Sequence, residues 1–340
     1  MNGRASWTGS GVGVTCTAVD SPVADLLDHP PRLDHEPSRA TRWLPRLALL
    51  SAAAVYGLII FGSHVRVTES GMGCPDWPLC NGNVGPVYEF HALMEQTHRY
   101  LAAVVSILVL TTALLALRSR AARPAAVRPA LFTLAIIVLQ IGLGALTVFA
   151  GNGAGTVVAH LLAGLSLLGG ATVTAVCAMV PRRASPGPRL GRLAWLAIGA
   201  AAVLFLSGSL VVEAEAEQAC ASFPLCPPEQ PGSLVALHLL HRGVAVLAAM
   251  ALLTFAVHAW RRWSVLSGAR ALAATLAALV VATATLGVVS ALLQAPPGWQ
   301  NAHLAGAAAV ITISLALATV GWLSGADRSS NHSGSLSTLP

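Results

Sequence analysis

The sequence predicts an all-α integral membrane protein of eight transmembrane helices, built as two four-helix bundles related by a pseudo-two-fold axis. Three observations lead there. Of 340 residues, 55% are hydrophobic and only 10% are charged, a balance foreign to soluble domains. Eight segments reach the roughly 20 apolar residues that a helix needs to cross a hydrocarbon core. Landmarks of the first half also recur in the second at a nearly constant offset.

The predicted spans are 44–66, 90–117, 130–150, 156–181, 193–212, 233–259, 271–293 and 299–323. Every basic residue is arginine; lysine is absent. Arg39, Arg42 and Arg46 precede the first span. Arg118, Arg120, Arg123 and Arg128 lie between the second and third, Arg182, Arg183, Arg189 and Arg192 between the fourth and fifth, and Arg261, Arg262 and Arg270 between the sixth and seventh. The alternate loops carry Glu69, Asp76, Glu89, Glu213, Glu215, Glu217 and Glu229, with Arg66 alone at a span edge. Short Arg-rich loops stay in the cytoplasm, so both termini are expected there, in a bacterial cytoplasmic membrane. The net charge of +6 is then a topology signal rather than a nucleic-acid footprint, because the arginines are spread over separate loops. Residues 1–40 lack the apolar core of a signal peptide; 1–43 and 324–340 are expected to be disordered tails, and 182–192 a cytoplasmic linker.

"GSHVRVTESGMGCPDWPLC" (62–80) resembles "GSLVVEAEAEQACASFPLC" (208–226), an offset of 146. Beyond it the offset is 143: "HR" at 98–99 recurs at 241–242, "LG" at 143–144 recurs at 286–287, and "AHL" at 159–161 recurs at 302–304. The halves are therefore 44–181 and 193–323. Four spans per half is an even number, so the halves share one orientation and are related about the membrane normal.

Eleven histidines occur, and four fall at matched repeat positions: His98 with His160, His241 with His303. All four lie near the outer ends of helices that enter from the same side. Two imidazoles at one depth suit axial ligation of heme iron. A lone intramembrane histidine is ordinarily a helix-contact residue; a duplicated set at equal depth points to ligation, since ionisable groups are costly there. Zinc fits less well, because it takes three or four close ligands. His64 and His91 lie near the outer interface, His258 at an inner span end, and His29, His35 and His332 in the tails.

Glu95 stands three residues before His98, on its face of the helix; the second half has His238 there. The carboxylate is either a proton-handling group or an ion-pair partner for Arg99. Arg99 and Arg242 follow the first histidine of each pair. They are candidates for heme propionate contacts, and equally for helix-contact bonds or snorkelling. Cys74/Cys80 and Cys220/Cys226 lie in outer loops, where disulfides persist, and each spacer is able to close locally. Cys16 and Cys177 are expected to stay reduced.

With "EQTHR" (95–99), both "AHL" motifs, "HR" (241–242) and the two cysteine pairs, residues 44–323 resemble the heme A synthase family. The resemblance implies a membrane enzyme that oxidises the C8 methyl of heme O to a formyl group by successive hydroxylations, for cytochrome oxidase biogenesis. It implies His98 and His160 as axial ligands of the substrate heme, Glu95 as essential for turnover, and His241 and His303 as iron ligands of a resident heme b. It further implies that the first disulfide serves activity and the second stability. Heme O and the lipid bilayer are the expected partners, with a heme O synthase and a second copy of the chain left open. Two rivals share part of the pattern. A bis-His diheme b-type cytochrome in quinol electron transfer needs no Glu95, and a repeat-built transporter needs no heme.

Overall fold

The structure, a computed structural model, describes residues 38–180, 191–226, 232–263 and 268–324. The predicted tails up to residue 37 and from 325, most of the 182–192 linker, Cys16, His29, His35 and His332 lie outside the described residues. The described residues form eight long helices: α1 (Arg39–Val67), α2 (Phe90–Arg118), α3 (Pro124–Phe149), α4 (Ala154–Met179), α5 (Arg192–Glu213), α6 (Gly232–Arg262), α7 (Ala269–Leu292) and α8 (Pro297–Ser324). Each is long and apolar enough to cross a membrane.

These helices overlap the eight predicted spans, with two instructive extensions. Helix α1 starts five residues before the predicted 44, because the Ser38 hydroxyl accepts the Thr41 N–H at 3.3 Å and so caps the first turn. Helix α3 starts six residues before the predicted 130, at Pro124, where a missing N–H costs nothing. Hydropathy locates the apolar run, whereas the capping residue locates the helix end. Within the spans, several hydroxyls fold back on carbonyls one turn earlier, as Ser106 does on Ala102 at 2.7 Å, which satisfies them inside the helix.

Helices α1, α2, α3 and α4 pack in a closed ring, each against the next and α4 against α1; α5 to α8 do the same. Three pairs carry most of the packing between the rings: α4 with α8, α1 with α8, and α5 with α4. Exchanging the halves maps the last two pairs onto each other and the first onto itself, as a two-fold axis through the α4–α8 contact requires. These two helices are the most enclosed. Gly169 of α4 lies so close to Leu315 of α8 that a Cβ there would stand 3.1 Å from its Cδ1, the small-residue packing typical of membrane helices. The Tyr56 hydroxyl donates to the Ala305 carbonyl at 3.0 Å, tying α1 to α8. Arg66 pairs with Glu213 at 2.8 Å, tying α1 to α5.

Each ring has its own apolar core, around Leu44, Val55, Val109 and Leu168 in the first and Phe205, Leu252, Phe255 and Leu276 in the second. Ile107, Val138, Leu139, Val246 and Leu247 remain exposed; in hydrocarbon this is a satisfied surface. The connections α1–α2 and α5–α6, which carry the cysteines, lie at the same end as the short turns α3–α4 and α7–α8.

Candidate functional site

All four repeat-matched histidines sit near the start of their helices at the cysteine-loop end, about 9–14 Å of helical rise from the first residue. Each imidazole rests on a glycine of the preceding helix. A Cβ added to Gly62 of α1 would stand 2.8 Å from Cε1 of His98. At Gly144 of α3 the corresponding distance to His160 is 3.4 Å, at Gly208 of α5 it is 3.1 Å to His241, and at Gly287 of α7 it is 2.7 Å to His303. Every one of these glycines lies five residues before its helix ends. The duplication has thus preserved a whole device: a ring on one helix and a flat seat on its neighbour. His160 lies within electrostatic range of His98, and His303 within range of His241, as the repeat pairs them.

The two pairs differ at Nδ1. In the second half, Nδ1 of His303 lies 3.0 Å from the Thr283 carbonyl oxygen. A carbonyl only accepts, so this Nδ1 carries the hydrogen and Nε2 keeps its lone pair. His241 Nδ1 lies 2.9 Å from the Ser207 hydroxyl, whose own hydrogen goes to the Leu204 carbonyl at 2.8 Å. Ser207 therefore accepts, and His241 is held in the same tautomer. In the first half Nδ1 of both His98 and His160 is buried without a hydrogen-bond partner. The repeat position of Ser207 is Phe61, stacked on His98 with ring centroids 6.3 Å apart; that of Thr283 is Gln140.

Glu95 is buried, 4% exposed, and its two oxygens are held from different sides. Oε2 accepts the backbone N–H of Cys74 at 2.8 Å and Oε1 accepts Arg99 Nη2 at 2.6 Å. The ion pair envisaged from sequence therefore forms, with the disulfide loop as a second anchor. The close approach depends on Gly73, whose added Cβ would lie 2.3 Å from the His91 backbone; the second half has Ala219 there. His238, at the repeat position of Glu95, is likewise buried and within electrostatic range of His241.

Arg99 and Arg242, candidates for propionates, have other partners. Arg99 donates to the carbonyls of Asp76 (2.7 Å), Leu79 (2.5 Å) and Cys74 (3.3 Å) as well as to Glu95. Arg242 donates to Pro224 (2.8 Å), Cys220 (3.0 Å) and Ser222 (2.8 Å). Each guanidinium holds its disulfide loop over its bundle, using the fork of donors that only arginine offers. The cysteines pair locally, with S–S distances of 1.99 Å for Cys74–Cys80 and 2.01 Å for Cys220–Cys226. In the first loop Asp76 accepts the amides of Asn81 (2.6 Å) and Gly82 (2.8 Å). The Gly82 amide chiefly holds its carboxyl below the usual range.

The donor set fits a heme better than a bare metal ion. Among the described residues no group of three His, Cys, Asp or Glu side chains could hold an ion alone. A porphyrin brings four nitrogens of its own and asks the protein only for axial ligands. His241 and His303, with Nε2 lone pairs set by their Nδ1 bonds, meet that need. The four histidines, Glu95 and the cysteine pairs singled out from sequence lie together at the cysteine-loop end of the bundles; the glycine seats and the Nδ1 partners were not anticipated. Gly62, Gly144, Gly208 and Gly287 stood inside the repeat motifs, so their signal was present and read only as a marker of duplication. Ser207 and the Thr283 carbonyl left no pattern to find.

The chain is similar in sequence to known proteins over most of its length. The model of the COX15-CtaA family, described as cytochrome oxidase assembly protein, matches residues 45–315, which include every residue of both histidine pairs. A heme A synthase from Shewanella oneidensis is 26% identical over 82% of this chain and 95% of its own length. One from Bacillus licheniformis is 28% identical over 65% and 76%, and one from Shouchella clausii 29% identical over 74% and 92%. The match spans both four-helix halves, and the chain belongs to the COX15-CtaA family of cytochrome oxidase assembly proteins.

Proposed function

We propose that this chain is a heme A synthase whose two histidine pairs divide the work, the first holding heme O as substrate and the second a resident heme b. The activity follows from the family and from relatives that share most of its length. The observation that supports the division is the inequality of the pairs. His241 and His303 are fixed at Nδ1 with Nε2 free to bind, as suits a permanent iron ligand. His98 and His160 have no such fastening, as suits a ligand that must take up a substrate and release a product. Only the first half places a carboxylate one turn from its histidine.

His98 and His160 orient the substrate macrocycle, and the loop held by Arg99 covers this end of the bundle. Glu95, fixed by Cys74 and Arg99, would present a carboxylate beside the substrate heme, able to exchange the protons that the oxidation releases. Two successive two-electron oxidations of the methyl, their electrons passing to an external acceptor, would give a geminal diol, and loss of water would leave the formyl group. The resident heme, when bound, supplies one-electron redox chemistry at the second pair. The disulfide loops face outward and both termini lie in the cytoplasm, following the arginine distribution.

Glu95→Ala, expressed beside a heme O synthase, tests the reading. It is expected to keep most of its resident heme and to accumulate heme O or a hydroxylated intermediate in place of heme A. Normal amounts of heme A would show the carboxylate to be structural, and loss of the resident heme would reverse the two halves.

A further inference from the structure

We infer that Ser207 is a positioning residue for the resident heme: by accepting the Nδ1 hydrogen of His241 it sets this ligand's tautomer, ring plane and donor strength. The inference rests on the reading that the second pair holds the resident heme.

The chain of bonds runs in one direction. The Leu204 carbonyl accepts the Ser207 hydroxyl hydrogen at 2.8 Å, and the hydroxyl oxygen is thereby turned to accept from His241 at 2.9 Å. His303 receives the same treatment from the Thr283 carbonyl at 3.0 Å, so both axial imidazoles have an acceptor at Nδ1. An imidazole that donates its Nδ1 hydrogen is a stronger donor at Nε2 and cannot rotate freely. Gly208, next in sequence, seats the same ring, so adjacent residues of α5 fix both its plane and its proton. The first half replaces this pair of functions by a seat alone: Gly62 is kept, while Phe61 offers no acceptor. Each half therefore keeps the seat, and only the half proposed to hold its heme permanently keeps the acceptor.

The test uses the full-length protein purified with its resident heme. In Ser207→Ala, transfer of heme to excess apomyoglobin should run roughly 10–100-fold faster, the usual cost of removing a metal ligand's hydrogen-bond partner. A stronger imidazole donor favours ferric iron, so the midpoint potential should rise. A tenfold selective loss of ferric affinity corresponds to about 59 mV for a one-electron couple. Ser207→Thr keeps a hydroxyl on the same carbon and should restore both values. Ser207→Cys preserves the packing with only a weak acceptor and should repeat the Ala result, which carries the test if Ser207→Ala does not fold. Wild-type transfer rate and potential in both the Ala and Cys variants would overturn the role of Ser207. His241→Ala separates this from the parent reading: if the resident heme spectrum survives in that variant, the second pair is not its site.

Discussion

The four glycine seats permit a graded prediction. An alanine Cβ needs about 3.4 Å to its neighbour for ordinary contact. At Gly287 it would find Cε1 of His303 at 2.7 Å, a shortfall of about 0.7 Å, with Nδ1 at 3.1 Å behind it. The shortfall is about 0.6 Å at Gly62, about 0.3 Å at Gly208, and nil at Gly144. The ring at Gly287 cannot yield without breaking the Thr283 bond, so Gly287→Ala should cost most. Overpacking a close-fitted site costs about 1–3 kcal/mol, or roughly 5- to 150-fold in an equilibrium constant. The assay is resident heme content and heme transfer rate for Gly287→Ala and Gly208→Ala, and heme A turnover for Gly62→Ala and Gly144→Ala. Gly287→Ala should lose heme markedly and Gly208→Ala mildly. Gly62→Ala should lose turnover, and Gly144→Ala should match wild type within about twofold, well under the cost of overpacking. Equal effects at all four, or the largest at Gly144, would show that the glycines do not act through the imidazoles.

Two further outcomes concern the first loop. Arg99→Lys replaces a planar fork by a point charge that cannot serve four acceptors; with charged hydrogen bonds worth about 1.5–3 kcal/mol each, turnover should drop at least about tenfold while the resident heme stays, and unchanged turnover would sever the loop from catalysis. Asp76 has its carboxyl depressed by the Gly82 and Asn81 amides, so its hold on the loop is complete above the ordinary value of 3.8 and is lost as pH falls through the lower folded value; the protection factors of the Asn81 and Gly82 amides, taken against the intrinsic exchange rate at each pH, should be high at pH 6, fall in strong acid, and be low at pH 6 in Asp76→Ala, whereas full protection in that variant would refute the capping role.

The fold was legible because a bilayer imposes few solutions. Apolar length marks the spans, arginine placement suggests their direction, and the repeat sets the pairing of halves. The histidines were legible for a related reason: spacing on helices of known direction converts directly to depth. What depends on helix rotation was not. That Arg99 would reach back to loop carbonyls, or that Glu95 would meet the Cys74 amide, depends on how far the loop folds over the bundle, and this turns on the close approach at Gly73. The Nδ1 partners were invisible for a stronger reason. Ser207 is an ordinary small polar residue in a membrane helix, and the Thr283 carbonyl belongs to a backbone that every residue shares. Only the rotation of α5 and α7 against their neighbours makes either one an acceptor.

The central claim, that one pair holds the resident heme and the other the substrate, is tested most directly by extracting and quantifying hemes from His303→Ala and His160→Ala proteins made beside a heme O synthase. The account predicts that His303→Ala loses most of its heme b, and that His160→Ala keeps heme b while making no heme A. Loss of heme b from His160→Ala with its retention in His303→Ala would contradict it.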